Sequence, residues 1–574
     1  DPTSVPSSSP SSEPTMLPSS VPSNVPTRAP SDTPGVEDTL MSEPCFLYAR
    51  QTQYASNTSN VTSLSWVCEL SPADAGGYKR IRIPIEANNV TDGLASSVSG
   101  TSTFFGTGLL IVNNTVYVPD DVEVEVDSLG DWQNSSDADN INEWYEWLNN
   151  NTTDDDDSSG GGADGDRRRH VRRLVEEGNK HVLVVRIDAD DASTTSTAVD
   201  LADFVFGTDD DDVNLASQMT ACSYDQVTFV PGTKPENATS DVVDGVVEII
   251  LELHIVGAVN TAIEAAVTAE LENEGFEIPG DFDHIMYCLP PGTDGDWQAY
   301  AYVNDYLSVY NDDWCTYVSS QMHEIGDNWG LGHSGEGSGD DYDEYDDLSG
   351  MMGYSYSFDD IPEMCFNGPK SWLLGWYDDK HEEIDPIILD DCWIGDLVGL
   401  AEYLDIVNDE KVILKIVTGT DVDYYVNFNR QIGINNDTQE GGDQVLVTTQ
   451  GTEGESSTLV ALLSEGETYS IEDFGGITDT TVSIIVNSIS TDGSYGVASV
   501  TVTSGSCSTS SPTPSPSSEP TSVPSSDPTS VPSSSPSSGP TMLPSSVPSS
   551  VPSSVPSSVP SSVPSSVPSS VPSS

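Results

Sequence analysis

The segment that most constrains the fold of this chain spans residues 323–333 and reads HEIGDNWGLGH. His323 and Asp327 are four positions apart, so a helix would place them on the same face. Gly330 predicts that this helix ends and that the chain turns. His333 can then return to the other two side chains. The spacing therefore predicts a helix and a turn that gather three metal-binding groups.

The residue types in this segment suit zinc-dependent hydrolysis. Such a site uses three protein ligands, histidine nitrogens and carboxylate oxygens among them, and keeps a fourth position for water. Glu324 adjoins the first ligand and is placed to act as general base toward a zinc-bound water. The alternative is an ordinary helix with two surface histidines, His323 and His333.

The segment resembles H-E-x-x-H-x-x-G-x-x-H, the zinc signature of metzincin proteases, except at position 327. An Asp oxygen lies roughly 2 Å closer to its own backbone than a His Nε2, so direct ligation would require the metal or the helix to shift. The carboxylate charge would also lower the Lewis acidity of the zinc. Asp327 is therefore either the second zinc ligand or the cause of a metal-poor site.

A second element of the same resemblance follows at residues 349–355, which read SGMMGYS. It resembles the Met-turn, the tight turn that lies under the metal in metzincins. Met352 would be the turn methionine. Tyr354 would then stand where some metzincins place a tyrosine that contacts the zinc or the transition state. The alternative is a Met-rich core turn.

Segments on both sides of these motifs resemble the gametolysin family of algal and diatom metallopeptidases. The resemblance covers residues 178–384 well and the following β-rich region loosely. It implies a secreted zinc endopeptidase that acts on extracellular-matrix or cell-wall glycoproteins, with Glu324 and Tyr354 in catalysis. The segments that carry the resemblance are 178–186, 221–224, 333–336, 349–357, 364–367 and 370–377.

The hydrophobic pattern within residues 178–384 predicts an α/β domain, and the resemblance makes it metzincin-like, with a mixed sheet, an active-site helix and a Met-turn. Residues 299–310 alternate like an edge strand. In metzincins such a strand binds the substrate backbone by strand addition, which is the role expected of it here. The other predicted elements are strands at 181–188, 246–253 and 284–288 and helices at 260–275 and 315–329.

The flanking chain divides by composition. Short alternating runs predict a β-rich N-terminal domain at 37–150 and a β-sandwich-like domain at 385–508. An acidic and Gly-rich linker occupies 151–177. The Pro/Ser-rich ends, 1–36 and the Ser-Ser-Val-Pro repeat at 509–574, are predicted to be disordered, as O-glycosylated stalks or bare linkers.

Five of the 18 basic residues lie within residues 167–173, which read RRRHVRR. A basic cluster in a flexible linker before a protease domain predicts a processing site for a basic-specific convertase. Residues 37–166 would then be a pro-region. The alternative is a patch that binds the acidic surface of the protein itself.

The net charge of −76, from 94 acidic and 18 basic residues, disfavours nucleic acid and anionic membranes as partners. The acidic runs at 154–157, 209–212 and 340–347 could bind Ca²⁺ or form a solvated surface. The longest apolar stretch is interrupted by charged residues, so no membrane span is expected.

Eight cysteines and nine N-x-S/T sequons indicate an oxidising, secretory environment and a glycoprotein. Proximity predicts the disulfides Cys45–Cys68 and Cys392–Cys507, which leaves four cysteines to the peptidase-like region. The sequons are at Asn57, Asn60, Asn89, Asn113, Asn134, Asn150, Asn151, Asn237 and Asn436.

Two functions of different class follow from these observations. One is a secreted zinc endopeptidase whose partner is a matrix or cell-wall protein substrate. The other is a catalytically impaired metzincin scaffold that binds matrix. The carboxylate at position 327, rather than the fold, separates them.

Overall fold

The protein is a mixed α/β structure, largely sheet with few helices, in a computed structural model. Contacts divide the chain into two units, residues 1–509 and 510–574, and all described residues lie in the first. The described residues are 39–54, 64–87, 99–100, 102–112, 114–118, 126–128, 176–209, 211–389, 392–451 and 454–505.

Several predicted features lie outside the described residues. They include both Pro/Ser-rich ends, the acidic run 154–157, the basic cluster 167–173 and Cys507. Seven of the nine sequon asparagines lie outside them as well. The remaining two, Asn237 and Asn436, are exposed.

The described N-terminal region contains the strands β1 (Thr39–Leu40), β2 (Cys45–Tyr54), β3 (Leu64–Glu69), β4 (Arg82–Ala87), β5 (Ser102–Phe104), β6 (Leu110–Val112), β7 (Thr115–Val118) and β8 (Val126–Ser128). Strand β2 is the longest and pairs antiparallel with both β3 and β5. Leu47, Ile83 and Phe104 belong to a buried apolar cluster that these strands share. Ala265 and Ala269 of the central region belong to the same cluster, so the core of the N-terminal strands is shared with that region.

The central region contains the strands β9 (Gly178–Ala189), β10 (Val227–Pro231), β11 (Val242–Val243), β12 (Val246–Leu251), β13 (His284–Leu289), β14 (Trp297–Tyr302) and β15 (Leu307–Asn311). Strand β9 pairs in parallel with β10, β12 and β13, and β13 pairs in parallel with β15. Because β9 is covered on both faces, the residues at its centre, 182–185, are all Val or Leu.

Helices cover both faces of this central sheet. Val184 and its face of β9 pack with Leu201 and Met322, whereas Leu183 on the opposite face packs with Val267. No helix among the described residues is long and apolar enough to cross a membrane. The helices are α1 (Ala198–Phe206), α2 (Leu215–Ser223), α3 (Asn260–Asn273), α4 (Val318–Asn328) and α5 (Gly368–Leu374).

Two predicted elements at the centre of the molecule differ from the structure. The single edge strand expected at 299–310 is two strands, β14 and β15, joined by a turn in which Asn304 has φ +56°. The outer edge of β14 is not free, because β2 pairs with it antiparallel. The helix expected at 315–329 begins at Val318, after a 3₁₀ turn and an extended Tyr317 (φ −91°, ψ 119°).

The C-terminal region has two sheets that pack on one another. Their strands are β16 (Ser334–Glu336), β17 (His381–Ile384), β18 (Trp393–Leu397), β19 (Ile413–Ile416), β20 (Asp423–Asn429), β21 (Gln444–Gln450), β22 (Ser457–Leu463), β23 (Thr468–Ile471), β24 (Val482–Ser490) and β25 (Val497–Thr503). The sheet orders are β16-β22-β21-β20-β19-β17 and β18-β25-β24-β23. Val426 and Val447 from the first sheet share a core with Ile484 and Val500 from the second.

Three disulfides join described cysteines. The predicted Cys45–Cys68 bond is confirmed and links β2 to β3. The four cysteines of the central region form Cys222–Cys365 and Cys288–Cys315. Cys392 is also disulfide-bonded, and its predicted partner Cys507 lies outside the described residues.

Candidate metal centre

Helix α4 and the turn after it bring three potential ligands together. His323, Asp327 and His333 offer ligand atoms that all lie within 4.8 Å of one another. Asp327 Oδ1 is 3.8 Å from His333 Nε2, and the two imidazole ring centres are 5.3 Å apart. All three side chains are buried. Gly330, with φ +73°, provides the left-handed turn that returns His333 to the helix.

In both imidazoles Nδ1 contacts a protein oxygen atom, while Nε2 faces the cluster. His323 Nδ1 lies 2.9 Å from the Met351 carbonyl, and His333 Nδ1 lies 3.1 Å from a Glu344 carboxylate oxygen. Backbone carbonyls and carboxylates are the usual outer partners of metal-binding histidines, because they fix the ring orientation. Glu344 and Met351 are thus part of the site, although neither was singled out from the sequence.

The inner atoms of this cluster have no hydrogen-bond partner. They are the Nε2 atoms of His323 and His333 and Oδ1 of Asp327. Buried polar atoms without partners are rare, since each one carries a desolvation cost. A tetrahedral ion with bonds of about 2.0–2.2 Å would hold its ligand atoms about 3.4 Å apart. The observed separations need only a modest contraction, so two nitrogens and one oxygen fit a zinc ion.

The electrostatics of the cluster favour a cation. Burial by itself would lower the pKa of His333, but the carboxylates of Asp327 and Glu344 raise it to about 9. Burial, reinforced by the charge of His333, keeps the pKa of His323 well below its usual range. One positive charge on His333 therefore faces two carboxylates, which leaves room for a further positive charge. A bound metal ion would supply that charge and displace the proton.

Glu324 lies next to His323 on α4 and is fully buried, with no hydrogen-bond partner on either carboxylate oxygen. Burial, and then the charge of Asp327, raises the pKa of Glu324 well above its usual range. A carboxylate whose pKa is raised is a stronger base than an ordinary carboxylate, and so accepts a proton more readily. That is the property required of a hydrolytic acid–base residue.

The predicted Met-turn lies directly beneath α4. Met352 is fully buried, and a methyl group added at Gly326 would overlap its sulphur atom. The Met352 carbonyl accepts the Ser334 N–H at 2.8 Å, and the Met351 carbonyl contacts His323. The turn therefore supports both ends of the ligand cluster.

Tyr354 makes no ring contact with His323 or His333, and its predicted catalytic role stays a prediction. Its side chain is 43% exposed and its ring packs on Tyr356, with centres 5.6 Å apart. Tyr345 instead lies against both imidazoles, 4.5 Å from His333 and 5.9 Å from His323 between ring centres. No motif in the sequence indicated Tyr345.

His333, the third potential ligand, is anchored by residues far along the chain. Gly332 N–H donates to the Gly454 carbonyl, and the His333 carbonyl accepts the Ser457 N–H at 2.9 Å and the Lys370 ammonium at 3.1 Å. A side chain at position 332 would overlap the backbone of Glu455. Because these partners lie from 37 to more than a hundred residues further along the chain, no local sequence pattern reveals them.

Comparison with known proteins identifies the central region. Residues 181–411 match the family model for gametolysin peptidase M11. This region belongs to the gametolysin family. The match includes α4, His333 and the Met-turn, and it assigns the region to the metallopeptidases. No curated protein matches the chain.

Membership of the gametolysin family implies a peptidase that uses a metal ion. Among the described residues, a group of three or more close ligand side chains is found only at His323, Asp327 and His333. The described parts of the acidic runs 209–212 and 340–347 do not form such a group. Calcium binding at those runs stays a prediction.

Proposed function

We propose that this protein is a secreted zinc endopeptidase that cleaves proteins or glycoproteins of an extracellular matrix or cell wall. His323, Asp327 and His333 are the proposed zinc ligands, and Glu324 is the proposed general base. The observation that carries the proposal is the convergence of three buried ligand atoms without partners beside a buried carboxylate. The disulfides are compatible with secretion.

The proposed mechanism assigns each residue a separate task. A zinc ion supplies Lewis-acid activation of water and of the peptide carbonyl. Glu324 accepts a proton from the attacking water and returns it to the leaving amine, a task that its raised pKa favours. The Met351 carbonyl and the Glu344 carboxylate keep the two imidazoles in the orientation that presents Nε2.

A single isosteric substitution separates metal binding from catalysis. Glu324→Gln should retain bound zinc, because Glu324 is not a ligand, and should lower cleavage of a denatured protein substrate by about 10²–10⁴-fold. Asp327→Ala should lose zinc and activity together. Glu383→Gln, at an exposed carboxylate on β17, is the matched control and should change neither.

Zinc content by elemental analysis is the primary measurement, since it reports on the site whether or not substrate can reach it. Purified protein that binds no zinc would disprove the proposed site. A protein that binds zinc through these residues but never cleaves peptide bonds would instead be the impaired scaffold.

A further inference from the structure

A groove that the proposed function does not use lies between helix α2 and strand β10. Its volume is about 570 Å³, within the range of roughly 300–1,000 Å³ that is usual for ligand sites. The end of α1 and the loop before α2 complete its walls, and none of the proposed metal-site residues lines it. Its lining combines apolar side chains with carboxylates, among them Phe206, Tyr224, Ile434, Asp211, Asp212 and Asp225.

The described lining of this groove contains no basic side chain to balance its carboxylates. Lys180 on β9 lies in register with Phe229 of β10 but contacts Glu176 instead, at 2.5 Å. Asp212 and Asp225 are both exposed. The groove therefore presents negative charge to any group that enters it.

Asp211 shows most clearly that a positive group would suit this groove. Its Oδ1 accepts the Val213 N–H at 3.0 Å, whereas its Oδ2 is buried and has no hydrogen-bond partner. Burial, followed by the charges of three neighbouring aspartates, raises the pKa of Asp211 to about 6. These neighbours are Asp203, Asp359 and Asp360. A cationic donor at Oδ2 would remove both the desolvation cost and part of the repulsion.

The charge of the groove is spread out rather than focused on one point. Among the described residues, Asp211, Asp212 and Asp225 do not belong to a group of close metal-ligand atoms. A calcium ion would need six or more oxygens at about 2.3–2.6 Å. Several guanidinium groups suit the groove better, because each can pair with a separate carboxylate and can lie against an aromatic ring.

The chain itself carries such groups close to the groove in sequence. Residues 167–173 read RRRHVRR and contain five of the 18 basic residues. They lie outside the described residues, and the described chain resumes at Glu176. The Glu176 carbonyl accepts the Trp376 indole N–H at 3.0 Å, which fixes where the chain leaves this segment.

The point at which the described chain resumes adjoins the groove. Gly178 N–H donates to the Gln226 carbonyl at 2.7 Å, and Gln226 directly follows Asp225. An extended chain spans at most about 3.3–3.6 Å per residue, so Arg173 is within roughly 10 Å of Glu176 and Arg167 within roughly 30 Å. The basic segment therefore reaches the groove without crossing the molecule.

We infer that the groove lined by Asp211, Asp212 and Asp225 is the docking site for the basic segment 167–173 of the same chain. A tether of a few residues gives an effective concentration of roughly millimolar, so individually weak charge pairs suffice. A docked segment is shielded from a basic-specific protease. Docking therefore controls when this cluster can be cut, and it does so whether or not the protein is a zinc peptidase.

The first test measures how well the groove protects the segment in the full-length protein. Trypsin cleavage within residues 167–173 is followed by mass spectrometry, with the free peptide RRRHVRR as an internal reference. The groove variant combines Asp211→Asn, Asp212→Asn and Asp225→Asn, which keep side-chain shape and remove three charges. The matched control variant combines Asp281→Asn, Asp294→Asn and Asp296→Asn, at exposed carboxylates that do not line the groove.

The groove variant should be cut about tenfold faster than the unmodified protein at low ionic strength, the combined effect of three partly exposed charge pairs on the docking equilibrium. The control variant should be cut at the unmodified rate. At about 1 M salt, where the Debye length is about 3 Å, the three rates should converge. Equal rates in all three proteins at low ionic strength would overturn the inference.

The second test separates the chain's own segment from an external cationic partner. Binding of a labelled RRRHVRR peptide is measured by fluorescence anisotropy. A segment variant, in which the five arginines of 167–173 are replaced by Gln, should bind the peptide at least about tenfold more tightly than the unmodified protein, whose groove is already filled. Adding the three groove substitutions to the segment variant should abolish this gain.

Equal peptide binding by the unmodified protein and the segment variant would show a groove open to a partner in trans, and would overturn the inference. Peptide binding that the groove substitutions leave unchanged would overturn it as well, because the peptide would then bind elsewhere on the acidic surface.

Discussion

At the scale of single residues, position 327 decides how well the proposed site binds metal. The carboxylate already lies 3.8 Å from His333 Nε2, so Asp327 has the reach to share a cation with it. It also adds negative charge to a site that contains the buried carboxylate of Glu324. Asp327 is thus close enough to bind the metal ion, but its charge should make the metal activate water less strongly than a histidine ligand would.

Asp327→His should raise zinc affinity, by roughly tenfold, and should raise peptidase activity, because imidazole reaches further and removes one negative charge from the metal. Competition with a chelator of known affinity measures the first effect, and cleavage of a denatured protein measures the second. Glu324→Gln in the same background should keep the added affinity and lose the added activity. Unchanged zinc affinity would show that position 327 is not a ligand.

Gly326 is the residue that admits the Met-turn beneath the helix. Gly326→Ala would gain about 1 kcal/mol of helix propensity, but its methyl group would overlap the buried Met352 sulphur and cost roughly 1–3 kcal/mol. We expect a net loss of stability and of bound zinc, measured by urea unfolding and elemental analysis. Gly505→Ala, which meets no atom within 4 Å, is the control. A stabilised Gly326→Ala protein would contradict the close packing described here.

At the scale of elements, the site depends on a strand that belongs to a different sheet. The chain enters β16 directly after His333, and β16 pairs in parallel with β22 of the C-terminal region. Lys370 on α5 is fully buried and donates to the carbonyls of His333 and Glu455 and to the Ser457 hydroxyl. The C-terminal region therefore positions His333, one of the proposed ligands.

Lys370→Met should lower zinc affinity by about 10–100-fold, the usual effect of removing an outer partner of a metal ligand. Methionine keeps much of the volume of the side chain but removes the donor, so the His333 carbonyl loses one of its two hydrogen bonds. Chelator competition again gives the measurement. Lys380→Met, at a more exposed lysine that contacts the Asn408 carbonyl, should leave zinc affinity unchanged. Equal affinities in both variants would show that β16 positions His333 without Lys370.

The elements themselves were largely predictable, and their partners were not. Segments rich in Val, Leu and Ile identified β9 and β12, and helical spacing identified α3 and α4. Alternation could not show that residues 299–310 turn at Asn304, nor that β14 pairs with β2 more than two hundred residues earlier. Hydrophobic period reports which face of a strand is buried, but it carries no information about which strand lies beside it.

At the scale of the whole molecule, the N-terminal strands and the central sheet are one continuous sheet despite the linker between them in sequence. The seam between the N-terminal strands and the central sheet is stabilised by an ion network whose side chains are almost fully buried. Glu69 accepts hydrogen bonds from Arg80 and Arg82 at 2.9 Å each, and Arg82 also contacts Asp305. Burial alone would raise the pKa of Glu69, but the two guanidinium groups hold it below its usual value of 4.5.

Because the pKa of Glu69 is lower in the folded protein than in the unfolded chain, the unfolded chain binds more protons between these two pKa values. The contribution of Glu69 to stability is therefore complete above about pH 4.5 and is lost as pH falls through the folded pKa. Glu69→Gln should be less stable by about 3–5 kcal/mol at neutral pH, because it leaves buried guanidinium charge without a partner. The difference in unfolding free energy between the two proteins should shrink as the pH falls below about 4.5. Urea unfolding of both proteins gives this difference directly, which matters because 94 acidic residues also titrate. Glu383→Gln, at an exposed carboxylate, is the control and should leave the stability at neutral pH unchanged. A Glu69→Gln deficit that stayed constant with pH would mean that Glu69 is not held ionised at the seam.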